Sequence, residues 1–92
     1  LLKEKIDAFG GDVSSTPVKY YIGFKKNTNF MFVKFAREYL RINLNCRNGT
    51  INDPNKITEQ HQRHKNIRRL RLDDENKLEE VSNLIKQVYD FN

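Results

Sequence analysis

Residues 40–47 alternate without interruption: Leu40, Ile42, Leu44 and Cys46 are apolar, and Arg41, Asn43, Asn45 and Arg47 between them are polar. A strand turns successive side chains to opposite faces, so this pattern demands a sheet with one apolar face and one wet face. Something must cover the apolar face. The end of the chain supplies a cover, because Leu78, Val81, Leu84, Ile85, Val88 and Tyr89 recur at helical spacing and form a broad apolar stripe. Asp73, Asp74 and Glu75 precede that stripe, where acids suit both the cap and the positive end of a helix.

The remaining segments fit around this pair. Leu2, Ile6 and Phe9 are spaced as one face of a helix that Gly10-Gly11 stops. Val13 to Thr16 reads as loop, and Pro17 begins an extended segment. Val18, Tyr20, Ile22 and Phe24 alternate with Lys19, Tyr21, Gly23 and Lys25 as a half-buried strand. After the polar turn Lys26 to Asn29, Phe30 to Phe35 is apolar on both faces until Lys34, which predicts a central or covered strand. Ala36-Arg37-Glu38 closes a hairpin, and Asn48-Gly49 is a turn dipeptide. Residues 50–66 predict a loop with a turn at Asp53-Pro54-Asn55 and a further helical turn. Ile67 to Leu72 is the last strand, with Leu70 and Leu72 inward and Arg69 and Arg71 outward. The order predicts an α+β fold: an antiparallel sheet of about four strands with N- and C-terminal helices packed on one face.

Ninety-two residues form one domain with a modest core. The single cysteine, Cys46, excludes an internal disulfide and points to a reducing, cytoplasmic setting. No apolar run approaches the length of a membrane span, so no membrane partner is expected. The chain opens inside a helical pattern without an initiator Met, which predicts an excised piece of a longer protein.

Charge is unevenly distributed. Lys19 to Arg71 carry thirteen Lys/Arg against the three acids Glu38, Asp53 and Glu59, while the flanks are acidic and the total is +5. A basic centre between acidic ends suggests a surface for a polyanion. Arg41 and Arg47 fall on the outward face of one strand, and Arg69 and Arg71 on the outward face of another. Arg63, Lys65 and Arg68 approach or enter the latter. If both strands share a sheet, these groups form a patch for DNA or RNA phosphates, with Tyr21 and Tyr39 as stacking surfaces. The plain alternative is a solvated, merely soluble face.

Other constellations are weaker. His61 and His64 lack the third ligand that zinc requires, and Arg63 and Lys65 repel a cation, so no metal or other cofactor is predicted. Glu75-Asn76-Lys77 with Asp53 upstream matches half of a magnesium-nuclease motif, but an acid opening a helix is explained by capping. Cys46 paired with His61 or His64 would be a thiolate site, yet alternation places Cys46 on the buried face. No catalytic residue is assigned, and the chain reads as a non-enzymatic domain.

The ordered segments Thr16 to Lys25, Asn29 to Val33, Tyr39 to Leu44, Asn52-Asp53-Pro54, Ile67 to Leu72 and Ile85 to Tyr89 together resemble an uncharacterised prokaryotic domain family carried under the label "predicted transport protein". The resemblance implies an α+β domain, often C-terminal in larger proteins. Some of those are similar to modification-dependent restriction enzymes with a ParB-like nucleotide-hydrolysing module and an HNH nuclease module. It brings no catalytic residues. Glu59 to Asn66 departs from the Gly- or Trp-containing stretch of many members. Two functions follow as expectations. One is an accessory domain binding nucleic acid or an acidic partner through a basic sheet face. The other is an interaction or packing module that docks on other domains of its parent protein.

Overall fold

The computed structural model describes residues 4, 6, 8–10, 13–17, 21–26, 28–47 and 49–91. Six strands form one antiparallel sheet: β1 (Ser14–Pro17), β2 (Ile22–Lys25), β3 (Asn29–Phe35), β4 (Leu40–Asn45), β5 (Glu59–Gln60) and β6 (Ile67–Leu72), in the spatial order β1-β2-β3-β4-β6-β5. A short 3-10 helix, Glu75–Lys77, leads into α1 (Leu78–Asp90), which lies against β3 and β4.

Alternation sets the register. Ile42 pairs with Val33 on β3 and Leu70 on β6, and Leu44 pairs with Met31, so one face collects the apolar residues of three adjacent strands. The stripe of α1 seals it: Ile42, Leu44, Met31, Val81, Ile85 and Val88 are all buried. Phe30 sits edge-on to Tyr89 of α1, with ring centroids 5.8 Å apart. The Asp74 carboxylate caps the entry to the helix by accepting from Asn76 N–H.

The predicted fold is corrected in two respects. Among the described residues the sheet has six strands rather than about four, and the one helix assigned is the C-terminal one rather than a pair. β1 lies where a loop was predicted. All four of its side chains are exposed, so pairing with β2 alone holds it in place. Its Pro17 is tolerated because an edge strand can spare an N–H. The predicted strand from Val18 is shorter: it begins at Ile22, and Val18, Lys19 and Tyr20 lie outside the described residues. Leu2 of the predicted N-terminal helix also lies outside them. Glu4 and Ile6 are helical, and Ala8 and Phe9 close a turn through N–H bonds to the Glu4 and Ile6 carbonyls. Ile6 reaches the core.

Residues 50–58 lead from β4 past β6 to β5 on its far side, and residues 57–65, expected as a loop with a helical turn, hold β5 and no helical turn. Asp53 organises this crossing. Its carboxylate accepts from Ile57 N–H (3.1 Å), Thr58 N–H (2.9 Å) and the Thr58 hydroxyl (2.6 Å). The chain between takes a positive φ at Lys56. Burial alone would raise the Asp53 pKa, but these bonds and the Arg68 guanidinium outweigh it and hold the carboxyl below its ordinary value. Gln87 on α1 fixes the start of the crossing by accepting from Asn52 N–H and donating to Asn52 C=O. Gly49 is needed for close approach, since a Cβ there would lie 2.5 Å from the Phe91 ring.

Candidate nucleic-acid interface

The face of the sheet opposite α1 carries the outward residues of the same strands. Arg41 lies directly across from Lys34 on one side and Arg71 on the other. Three cations therefore stand in a row across β3, β4 and β6. Residues directly opposite in an antiparallel pair have Cβ atoms about 4.5–5.5 Å apart, and like charges at that spacing repel. Tyr39 partly offsets the repulsion: its ring lies 4.0 Å from the Arg71 guanidinium carbon and 5.8 Å from that of Arg41. Among the described residues no ion pair joins Lys34, Arg41 or Arg71 to an acid.

The next row along the strands is Phe32, Asn43, Arg69 and Glu59. Arg69 is partly spent, because its Nε donates to Glu59 at 2.9 Å. A cavity of about 450 Å3 beside the cationic row is lined by Arg41, Lys56, Arg69, Arg71 and Lys77, with Glu59 and Asp73 as its acids. Asp73 pairs with Lys77 at 3.7 Å and Glu59 with Arg69, so Lys56, Arg41 and Arg71 carry charge that neither acid balances.

The structure divides the seven residues predicted for the patch. Arg41, Arg69 and Arg71 share the open face. Arg68 does not: it pairs with Leu44 on the covered side, where its Nε donates to the Thr58 hydroxyl (2.9 Å) and its Nη2 to the Thr58 carbonyl (3.1 Å). One-residue alternation within β6 makes this unavoidable. Arg47 follows the end of β4 in a turn, its N–H donating to Asn45 Oδ1. Arg63 and Lys65 are exposed in the β5–β6 loop, beyond the cationic row. The Gln60 side-chain amide ties that loop down, lying 2.8 Å from both the His64 and Lys65 carbonyls. Lys34 was missed, although its place as the first polar residue in an apolar run marks it as outward.

The His61 and His64 rings lie at the same end of the open face, with centroids 4.9 Å apart and planes tilted by 47°. Partial burial, then the charges of His64, Arg69 and Arg63, lower the His61 pKa, and its Nδ1 accepts from Arg63 N–H at 3.1 Å. Among the described residues no group of three or more His, Cys, Asp or Glu is placed to hold a metal ion. Burial raises the Cys46 pKa, with opposing contributions from Arg68, and its thiol packs against the core. The Asp53 oxygens of the half nuclease motif are committed to Ile57 and Thr58, and Glu75 opens the 3-10 helix. Among the described residues no helix is long and apolar enough to cross a membrane.

The family model described as "Domain of unknown function (DUF5655)" matches residues 1–92. No curated protein and no solved structure matches the chain.

Proposed function

The chain belongs to this family of domains of unknown function, and we propose that its open sheet face binds a polyanion, nucleic acid above all, as an accessory domain without chemistry of its own. The observation that carries this reading is the row Lys34, Arg41 and Arg71, three directly opposed cations without an acid partner among the described residues. Holding like charges side by side costs stability, and phosphates arriving along the row would relieve that cost. Each phosphate contact releases counterions, so affinity should fall steeply with salt. The reading suits an accessory domain of a larger prokaryotic restriction or defence protein working in the cytoplasm. The "predicted transport protein" label finds no supporting residue.

Fluorescence anisotropy with labelled single- and double-stranded DNA and RNA tests it. Binding at low salt should weaken with salt, and Arg41→Glu with Arg71→Glu should weaken it and flatten the salt dependence. Failure to bind any of them more tightly than about 1 mM at low salt would sink the reading.

A second reading rests on a different end of the molecule. Phe35 is 60% exposed at the end of β3. Nearby, a cavity of about 440 Å3 has Ala36, Leu40, Leu72 and Leu78 in its lining and Glu38, Asp73, Asp74 and Glu75 among its acids. That combination suits a basic, partly apolar segment of another domain of the parent protein. Pull-down of the parent's remaining domains, abolished by Phe35→Asp and unaffected by Arg71→Glu, separates this reading from the first.

A further inference from the structure

Beyond the cationic row, the open face carries a small cleft of about 220 Å3 lined by Tyr21, Phe32, Lys34, Asn43, His61, His64 and Ile67. Its chemistry differs from that of the row. One wall is aromatic: Tyr21 packs edge-on to Phe32, with centroids 5.4 Å apart and planes at 85°. Phe32 pairs with Gly23 on β2, and its ring lies over that position. The opposite wall is the tilted ring pair His61 and His64, carried by the loop that Gln60 clasps. Lys34 belongs to both the cleft and the cationic row.

The floor contains an unmet hydrogen-bonding group. Asn43 Oδ1 is buried without a partner among the described residues, in the middle of a strand and between Phe32 and Arg69. Buried polar groups are nearly always satisfied, and an exception calls for a reason. Its terminal torsion is soft, so the amide can turn to offer either its oxygen or its NH2 to a planar ring edge. The cleft is smaller than the roughly 300–1,000 Å3 of ordinary ligand pockets, which suits one heterocyclic ring rather than a base pair.

We propose that this cleft is a subsite for one unpaired nucleobase of a single strand, stacked between Tyr21/Phe32 and His61/His64 and edge-bonded by Asn43, with the flanking phosphates on Lys34, Arg41 and Arg71. The inference rests on the polyanion-binding reading above and sharpens it to single-stranded nucleic acid. Aromatic stacking is sequence-tolerant and is paired with a basic track for the backbone in proteins that bind single strands. The cleft and the row supply both components side by side.

The test separates base from phosphate. Oligothymidine, oligouridine, an abasic DNA strand of the same length and a DNA duplex are titrated by anisotropy against the 92-residue chain. Both base-bearing single strands should bind at least about fivefold more tightly than the abasic strand, as loss of one stacked base implies. Tyr21→Ala with His64→Ala should erase that preference while leaving abasic binding unchanged. Asn43→Leu removes the unmet acceptor, so it should retain the thermal melt and reduce the preference for bases. 2-Aminopurine placed in the strand should lose fluorescence on binding, and less so in the double variant. Equal affinity for abasic, base-bearing and duplex ligands would overturn the subsite while leaving the cationic face in place. No binding to any of the four would overturn both.

Discussion

Ile42 and Asn43 are neighbours in one strand, yet Ile42 is sealed beneath α1 and Asn43 lies at the floor of a cleft on the uncovered side. The covered face is built from agreement. Apolar residues of β3, β4 and β6 meet in register, and the stripe of α1 closes over them. The open face is built from conflict. Three cations are held opposite one another, and a buried carbonyl oxygen goes without a donor among the described residues. Stability accounts for the first arrangement and gives no reason for the second, so the open face is where a ligand is to be sought.

The sharpest separation of the two faces is Ile42→Ala. The side chain is fully buried, so its loss combines transfer and cavity costs of about 2–5 kcal/mol, a large share of the stability of so small a domain. Thermal and urea melts should show this loss. A cost below about 0.5 kcal/mol would mean that the covered face is not the core.

Much of this contrast is legible in the sequence, and the exceptions share a cause. β4 and α1 announce themselves because burial selects their side chains at periods of two and 3.6. β1 and β5 do not, because they are edge strands whose side chains are exposed and whose existence depends on backbone pairing to β2 and β6. Ser14-Ser15-Thr16-Pro17 and Glu59-Gln60 leave no apolar trace to read. Alternation places Arg41 and Arg71 on the open face, as the structure has them. Arg68, two residues before Leu70, shares that residue's parity and faces the covered side. Its partners, Thr58 and Asp53, come from a loop without periodicity.

That buried-edge network gives the next effect. Asp53→Ala strips the acceptor from the Thr58 hydroxyl and from two backbone N–H groups, at a cost of about 1–3 kcal/mol. The pKa of Asp53 is lowered by folding, so its contribution is complete above the unfolded value of about 3.9 and is lost as pH falls through the folded value. Melts at neutral pH should separate wild type from Asp53→Ala, and the gap should narrow well below pH ~4. A gap independent of pH would assign the cost to packing instead. Arg68→Ala removes the guanidinium bonds to Thr58 and should cost about 1 kcal/mol. It should leave the salt slope of DNA binding unchanged, since its charge is directed at Thr58 and Asp53. A flattened slope would return Arg68 to the interface.

The smallest expected effect on stability is also the most discriminating. Arg41 stands between Lys34 and Arg71, so replacing it with Ala removes two directly opposed like-charge pairs and one distant contact with the Tyr39 ring. Each such pair costs a few tenths of a kcal/mol, and the ring contact at 5.8 Å returns little. Arg41→Ala should therefore leave the melt within about 0.5 kcal/mol of wild type, on the stabilising side at low salt. The gain should vanish near 1 M salt, where the Debye length is about 3 Å and the repulsion is screened. The same variant should bind single-stranded DNA more weakly. A residue whose removal leaves the fold intact or firmer and the ligand looser is held in place for the ligand. If Arg41→Ala instead destabilises by more than about 1 kcal/mol at every salt concentration, the cationic row is part of the structure's own support and the contrast between the two faces fails.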